Sequence, residues 1–119
     1  MKILVVDDDT QVLSALKRKL EDLGHDVEAA PNAFSVIVAL DGEARFDLVV
    51  TDYSMPGGMN GCELAEAIRT CGFKMPIWLF SASDINEKMT KDAGIERVFS
   101  KRNPQIFFEA IEKIRKEGE

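Results

Sequence analysis

The sequence predicts an α/β fold in which one parallel sheet lies between two layers of helices, as a three-layer α/β/α sandwich. Two observations support this prediction. Five segments of strand length alternate along the 119 residues with five segments of helical periodicity, and such alternation requires right-handed crossovers and hence a parallel sheet. Residues 3–6, 48–50 and 77–80 are continuous apolar runs, which are typical of strands covered on both faces.

The composition restricts the possible functions. A chain of 119 residues has the length of one domain, and we expect residues 1–119 to fold as a single unit. Apolar residues make up 45% of the chain and charged residues 30%, as in ordinary soluble proteins. The net charge of -6 argues against nucleic acid as a direct partner, because such a partner requires a basic surface.

The cysteines and the apolar runs indicate the compartment. Cys62 and Cys71 are nine positions apart, without the further ligands of a zinc site or the further pairs of a disulfide framework, so we expect reduced thiols. The apolar runs are too short to span a membrane. The first is followed at once by three aspartates, unlike a signal peptide. We therefore expect a cytoplasmic location without membrane insertion.

The first strand and helix begin the chain. Residues 3–6 suit a central strand, and residues 10–23 carry one apolar face. Gly24 follows where a left-handed helix cap is expected, and we expect His25 after it to be exposed. The apolar face of this helix consists of Val12, Leu13, Leu16, Leu20 and Leu23.

The second and third strands differ in polarity. Residues 26–30 alternate charged residues with small or apolar ones, which predicts an edge strand. A second helix is expected from its cap at Asn32 to about Asp41, and its broad apolar surface comprises Phe34, Ile37, Val38 and Leu40. Residues 48–50 predict a buried strand, and the Pro-Gly-Gly turn at residues 56–58 ends regular structure soon afterwards.

Two helices with capping signals flank the fourth strand. Asn60 and Glu63 have capping-box spacing, and the helix that they begin has an apolar stripe of Leu64, Ala65, Ile68 and Cys71. Residues 77–80 predict a buried strand. Asp84 again has a glutamate three residues later, which predicts the cap of a short helix that ends near residue 92.

The fifth strand is the shortest. Val98 and Phe99 form it, directly before Ser100 and Lys101. Asn103 as the cap and Pro104 as the first helical residue predict the last helix, whose core-facing residues are Phe107, Ala110, Ile111 and Ile114.

Polar residues follow four of the five predicted strands. Asp7 and Asp8 follow the first, Asp52 the third, Ser81 the fourth, and Lys101 comes just after the fifth. Taken singly, an acidic run before a helix can simply favour the helix N-terminus, and a lone Ser or Lys is more often a surface residue. Because the carboxyl ends of parallel strands share one edge, where ligands bind in open α/β sheets, we expect these five residues to converge.

Three crowded carboxylates predict a metal site. They repel one another, and Mg2+ is a hard cation that takes oxygen ligands and keeps several waters. We expect a carboxylate oxygen of Asp8, one of Asp52 and the backbone carbonyl of Ser54 to bind Mg2+, with Asp7 acting through water. Partial coordination by the protein leaves room for a phosphoryl oxygen.

Asp52 is the candidate nucleophile of the site. Attack on a phosphoryl group would give an acyl phosphate, with its charge offset by the metal and by Lys101. The hydroxyl of Ser81, one strand away, could donate a hydrogen bond to that phosphate.

The chain resembles the receiver domain of two-component response regulators over essentially its whole length. The resemblance rests on Val5-Val6-Asp7-Asp8, Asp52-Tyr53-Ser54-Met55-Pro56 with Gly61 downstream, Ser81-Ala82, and Ala93-Gly94 followed by Lys101. It implies the flavodoxin-like strand order 2-1-3-4-5. It also implies that Asp52 is the phosphoacceptor, Asp7 and Asp8 the acidic metal pair, Ser81 the switch hydroxyl and Lys101 the phosphate-binding lysine.

The function that this resemblance implies is a signalling switch. Such a domain takes a phosphoryl group from the phosphohistidine of a sensor histidine kinase or a phosphotransfer protein. Phosphorylation then changes its affinity for a downstream effector protein or output domain. It catalyses only its own phosphorylation and dephosphorylation, and in that sense we do not expect an enzyme.

Two positions depart from the family pattern. Arg102 follows the lysine where receivers usually have a proline with a cis bond, and we expect a trans bond here. Val98 stands where receivers usually have a Tyr or Phe that rotates on activation, so we expect a shift of the loop at residues 81–85 instead. The segment from Ser81 to Lys101 is short, which indicates a truncated fourth helix.

Two other functions compete with this one. A Mg2+-dependent phosphatase of the haloacid dehalogenase type also uses Asp-x-Asp after its first strand, then a Ser or Thr and a Lys. However, Gln11 stands where that family has a threonine, no acidic pair follows Lys101, and Asp52 would have no role. The second alternative is a receiver-like interaction module that is never phosphorylated, which Arg102 and Val98 leave open.

Overall fold

Five parallel strands form the centre of the computed structural model, which describes residues 1–55 and 59–118. They are β1 (Lys2–Val6), β2 (Asp26–Ala30), β3 (Leu48–Thr51), β4 (Ile77–Ser81) and β5 (Arg97–Ser100). Their order in the sheet is β2-β1-β3-β4-β5, with every neighbouring pair parallel. The predicted α/β fold and the strand order are confirmed, including the edge position of the polar second strand. The turn predicted at residues 56–58 lies outside the described residues.

Helices alternate with these strands. They are α1 (Thr10–Asp22), α2 (Ala33–Asp41), α3 (Gly61–Thr70), α4 (Glu87–Asp92) and α5 (Pro104–Glu117). The side chains of Asn32 and Asn60 accept hydrogen bonds from backbone N–H groups in the first turns of α2 and α3, and Asn60 forms the predicted capping box with Glu63. Gly24 has a φ of 96° after α1, as expected for a left-handed cap.

The sheet separates two hydrophobic cores because successive side chains of a strand point to opposite faces. Ile3 and Val5 of β1 belong to the core beneath α1 and α5, whereas Leu4 and Val6 belong to the core beneath α2 and α3. The first core contains an aromatic cluster formed by Trp78, Phe80, Phe99 and Phe107, with ring centroids 4.6 to 6.3 Å apart. The strands are therefore covered on both faces, as their apolar runs predict.

The start of α4 differs from the prediction. The helix begins at Glu87, and its cap is Asn86, whose side chain accepts from the backbone N–H groups of Lys88 and Met89. Asp84 lies in the preceding loop, so the predicted cap is wrong. An Asn is as good a cap as an Asp, and the later of the two candidates leaves a helix of only 6 residues. The fourth helix is thus short, as expected.

Two residues, His25 and Cys71, are placed differently from expectation, and the burial of His25 depends on distant segments. His25 is buried, with 5% of its surface exposed, whereas we expected exposure. Its Nδ1 lies 3.2 Å from the amino group of Met1, and its Nε2 lies 3.6 Å from Oε1 of Glu112 on α5. Cys71 is exposed at the end of α3 and does not extend the buried stripe; both cysteines are free thiols, as expected.

Three further features are the peptide bond after Lys101, the cap of α5 and the length of the helices. The Lys101–Arg102 bond is trans, like the other peptide bonds between described residues. Asn103 stands at the cap position of α5, but its side chain makes no capping hydrogen bond. Within residues 1–55 and 59–118, no helix combines the length and the apolar character needed to cross a membrane.

Candidate functional site

The carboxyl ends of β1 and β3 bring three carboxylates together. The N–H of Asp7 donates to the carbonyl of Ala30 at 3.2 Å, and the N–H of Asp52 donates to that of Val6 at 2.9 Å, so both aspartates continue the ladder just past their strands. One carboxylate oxygen each from Asp7, Asp8 and Asp52 lies within 4.8 Å of the other two. The structure therefore assembles the predicted acidic cluster.

Lys101 places a cation against this cluster. Its backbone N–H donates to the carbonyl of Ser81 at 2.9 Å, which extends the pairing of β4 with β5. Its Nζ donates to Oδ2 of Asp7 at 2.6 Å and lies 3.4 Å from Oδ2 of Asp52. Burial lowers the pKa of Lys101, but its hydrogen bond to Asp7 and the charge of Asp52 outweigh it, and the net shift is upward. Lys101 is therefore an ammonium group at neutral pH.

Asp52 is largely withdrawn from solvent, with 12% of its side chain exposed. Its Oδ1 accepts a hydrogen bond from the N–H of Tyr53 at 2.8 Å, while its Oδ2 faces Lys101. Burial raises the pKa of Asp52; Lys101 opposes this effect and the negative charge of Asp7 adds to it. Burial and the charge of Asp7 thus destabilise the ionised form of Asp52, and a further cation in the cluster would stabilise it.

The two predicted serines have different positions. Ser81 is the last residue of β4 and is 2% exposed, and its Oγ accepts from the N–H of Ser83 at 3.1 Å. Its register partner is Ser100, the residue before Lys101, so its strand end is adjacent to that of the lysine. Ser54 is exposed in the loop that follows Asp52. All six predicted site residues consequently lie at or just beyond the carboxyl edge of the sheet.

Gly61 packs directly against Asp52, a role that the sequence pattern did not predict. A Cβ at Gly61 would lie 2.4 Å from the carbonyl oxygen of Asp52 and 2.8 Å from Cδ1 of Leu79. Its N–H also donates to the carbonyl of Tyr53 at 2.7 Å. The sequence offered one signal for this role. Gly61 is the first residue of a helix, where most other residues are better helix formers.

Asp9 is directed away from the cluster. Its side chain accepts from the N–H groups of Gln11 and Val12 at 3.0 and 3.2 Å and thereby caps α1. The N–H of Asp9 donates to Oδ1 of Asp7 at 2.9 Å, which orients that carboxylate. The second acid of an Asp-x-Asp phosphatase motif is therefore occupied in a capping role.

The donor set of the cluster fits Mg2+. Asp7, Asp8 and Asp52 offer the carboxylate oxygens that a hard cation prefers. Asp8 is exposed, while Asp7 and Asp52 are mostly covered, so one side of the cluster is open to water. That openness suits an ion that dehydrates reluctantly and keeps part of its water shell.

Comparisons with known proteins point in one direction. A model of the response regulator receiver domain matches residues 3–112. Response regulator MprA of Mycobacterium avium (strain 104) is 35% identical over 98 residues, which cover 81% of this chain and 42% of the relative. The chain thus spans less than half the length of the first curated relatives that it matches.

Solved structures agree with this similarity. A response regulator receiver domain protein (CheY-like) from Methanospirillum hungatei JF-1 is 29% identical with a TM-score of 0.85, covering 98% of this chain and 94% of that one. Response regulator TrrA from Thermotoga maritima, solved in complex with Mg(2+)-BeF, is 28% identical with a TM-score of 0.81, covering 94% and 96%.

Proposed function

Because the chain belongs to the response regulator receiver domain family, we propose that it is a phosphoacceptor switch of a two-component system. Asp52 accepts a phosphoryl group from a phosphohistidine in a Mg2+-dependent reaction. The observation that carries this proposal is the contact of one ammonium group, Lys101, with two of three clustered carboxylates at the sheet edge. Such a cluster can hold a metal and a phosphoryl group side by side.

Asp52 supplies the attacking oxygen. Its Oδ1 is fixed by the N–H of Tyr53, and its Oδ2 lies 3.4 Å from Nζ of Lys101, so the carboxylate is oriented before any donor arrives. An Oδ–P bond forms as the N–P bond of the phosphohistidine breaks, and the imidazole leaves with the electron pair of that bond. The product is an aspartyl phosphate.

The other site residues hold the charges that this reaction creates. Asp7, Asp8, Asp52 and the carbonyl of Ser54 would bind Mg2+, which when bound offsets negative charge on the phosphoryl oxygens. Lys101 would bind a phosphoryl oxygen through its ammonium group. Ser81 accepts from Ser83 N–H, which leaves its own proton free to donate to the phosphate.

We further propose the surroundings of this switch. The donor is a sensor histidine kinase or a phosphotransfer protein, and the phosphorylated domain acts on a downstream effector protein or an output domain. Residues 1–119 would form the receiver unit, which catalyses only its own phosphorylation and dephosphorylation. The free thiols of Cys62 and Cys71 support a reducing, cytoplasmic compartment.

Intact mass after incubation with Mg2+ and a small acyl or amido phosphate tests the proposal. We expect the parent to gain the mass of one phosphoryl group and Asp52→Asn to gain none. Asp22→Asn, which removes an exposed carboxylate from the end of α1, is the matched control and should be labelled like the parent. Equal labelling of Asp52→Asn would place the reaction elsewhere. No labelling of the parent would favour an interaction module that is never phosphorylated.

A further inference from the structure

The outward face of α2 carries an exposed apolar patch. Phe34 is 77% exposed, Val38 57% and Ile37 38%. Their spacing of three and four residues places them side by side on one helix face, whereas Val36 and Leu40 bury the opposite face in the core. Isolated apolar residues on a surface are ordinary, but a contiguous group on one helix is typical of an interaction site. This α2 patch is defined by Phe34, Ile37 and Val38.

A groove adjoins the α2 patch. It has a volume of about 420 Å³ and is lined by Val38, Ala39 and Gly42 at the end of α2 and by Glu28 and Ala29 on the edge strand β2, among others. The patch and the groove share Val38, so the apolar surface continues from the helix into a concave channel between α2 and β2. That shape can receive the side chains of a second helix.

The charges around the groove select the occupant. Its lining includes Glu28 and Glu43 and, among the described residues, no lysine or arginine. A second copy of this chain would bring its own two glutamates against these, and the chain as a whole has a net charge of -6. An anionic membrane would be repelled in the same way. A partner with basic residues beside its apolar face is the complementary one.

We propose that the α2 patch and the adjoining groove form a docking site for an amphipathic helix of a partner protein, with an apolar stripe flanked by Lys or Arg. Leucine-like side chains of that helix would cover Phe34 and Ile37 and enter the groove beside Val38. Its cations would lie near Glu28 and Glu43. The docking site is separate from the acidic cluster and requires no phosphorylation of Asp52.

Binding of a synthetic helix tests this docking site. The probe is a fluorescent peptide about five helical turns long, with leucines on one face and lysines beside them. The control peptide has glutamate for every lysine, and a third has the lysine peptide's composition in scrambled order. We expect the lysine peptide to bind at least tenfold more tightly than either control in fluorescence anisotropy. Amide chemical-shift changes on the labelled protein should be confined to residues 28–44.

Variants of the protein separate the two parts of the site. The double substitution Phe34→Ser with Val38→Thr should weaken the lysine peptide at least tenfold, whereas Ile106→Ser, at a residue 51% exposed on α5, should leave it unchanged. Glu28→Gln with Glu43→Gln should reduce the preference for lysine over glutamate peptides several-fold. Thermal melts of each variant report whether it is folded. All substituted side chains are exposed, so we expect native-like transitions.

Several outcomes would contradict the proposed docking site. They are failure of the lysine peptide to bind at millimolar concentration, equal affinity for the lysine and glutamate peptides, or shift changes centred on α5. Sedimentation of the protein alone tests whether a second copy of the chain occupies the site. Self-association that the Phe34→Ser, Val38→Thr variant abolishes would identify that copy as the occupant. Flotation with phosphatidylcholine–phosphatidylglycerol vesicles, if lost in the same variant, would make a membrane the occupant.

Discussion

At the scale of single residues, Lys101 determines the balance of positive and negative charge in the site. Its ammonium group contacts Asp7 at 2.6 Å and Asp52 at 3.4 Å, while Asp8 adds a third, exposed carboxylate. One cation against three carboxylates leaves net negative charge at the sheet edge. The metal-free domain therefore contains a repulsion that either a bound cation or the loss of one carboxylate relieves.

Asp8→Asn should separate these two ways of relieving the repulsion. We expect a higher melting temperature than the parent without Mg2+, because a repelling charge is gone, and a smaller rise on adding Mg2+, because a ligand is gone. Asp22→Asn on α1 should match the parent in both conditions. If Asp8→Asn bound Mg2+ as tightly as the parent, the assignment of this residue to the metal site would be wrong.

Gly61→Ala should be destabilising despite the usual gain from replacing glycine in a helix. In an open helical position the change stabilises by about 1 kcal/mol. Here the added carbon meets the Asp52 carbonyl at 2.4 Å, and overpacking of this kind costs about 1–3 kcal/mol. Urea unfolding measures the sign, and phosphorylation by a small phosphate donor measures the displacement of Asp52.

Gly72→Ala is the comparison for this experiment. A Cβ at Gly72 would meet nothing within 4 Å, but its φ of 89° strains any other residue. Its stability should fall while labelling of Asp52 stays at the parental rate. An increase in stability for Gly61→Ala would show that the close approach is relaxed in solution.

His25 should make the stability of the fold sensitive to mild acid. Burial lowers its pKa, the Met1 amino group lowers it further, and Glu112 partly opposes them. The folded state therefore binds fewer protons than the unfolded state between the lowered pKa and about 6.5, so stability is lost as the pH falls through this range. The positive charge of Arg115 adds to the lowering.

The difference between parent and His25→Gln isolates this contribution. We expect the melting temperature of the parent to fall more steeply than that of His25→Gln between pH 7 and pH 5, as measured by circular dichroism. Titrating groups that do not interact with His25 contribute equally to both proteins. Parallel curves would mean that the imidazole is protonated equally easily in the folded and unfolded chains.

At the scale of elements, three caps that depend only on nearby residues could be predicted. Asn32, Asn60 and Gly24 occupy the expected positions because a cap bonds to its own first or last turn. The start of α4 could not be predicted, because Asp84 and Asn86 are both acceptable caps. The burial of His25 depends on α5, far along the chain, and leaves no local pattern.

Asn86→Ala and Asp84→Ala should have unequal effects on α4. The Asn86 side chain accepts from two backbone N–H groups, and loss of such a cap costs about 0.5–2 kcal/mol. Asp84 lies before the helix, so its replacement should change the free energy of unfolding much less. Hydrogen exchange of the α4 amides would report the difference locally. Equal protection in both variants would contradict the assigned cap.

At the scale of the whole molecule, convergence of the site could be predicted because all parallel strands end at the same edge. Asp7, Asp8, Asp52 and Lys101 meet there as expected. The distances between their charged groups could not be predicted from the sequence, because they depend on how far each residue lies past the end of its strand. The close approach of Gly61 to Asp52 depends on the packing of α3 against β3, so it could not be predicted from the sequence either.

Ser81→Ala should reduce the response of the fold to phosphorylation without preventing it. Phosphorylation adds about -1.5 to -2 charges, and charge-assisted hydrogen bonds contribute about 1.5–3 kcal/mol each. Ser81 and Lys101 together can thus supply about 3–6 kcal/mol, whereas reversing a two-state population from 1:99 to 99:1 needs about 5.5. Losing one contact should leave the switch partial.

Amide chemical shifts with and without a phosphoryl mimic on Asp52 would measure that response. We expect changes in α4, β5, α5 and the loop at residues 81–85 for the parent, and smaller changes at the same positions for Ser81→Ala. Responses of equal size in the two proteins would remove Ser81 from the switch. No response in either would favour the unphosphorylated interaction module.

The strand order also favours one sequence of events during folding. β1 pairs with both β2 and β3, so the two acidic strand ends can come together while β4 and β5 are still unfolded. Lys101 then meets Asp7 across 94 residues of chain, a contact of high loop-closure entropy that should form late. A nascent chain would thus expose its carboxylates before it acquires their counter-ion. Under the proposed function, competence to receive a phosphoryl group should arise only when β5 docks, so incompletely folded chains should not be phosphorylated.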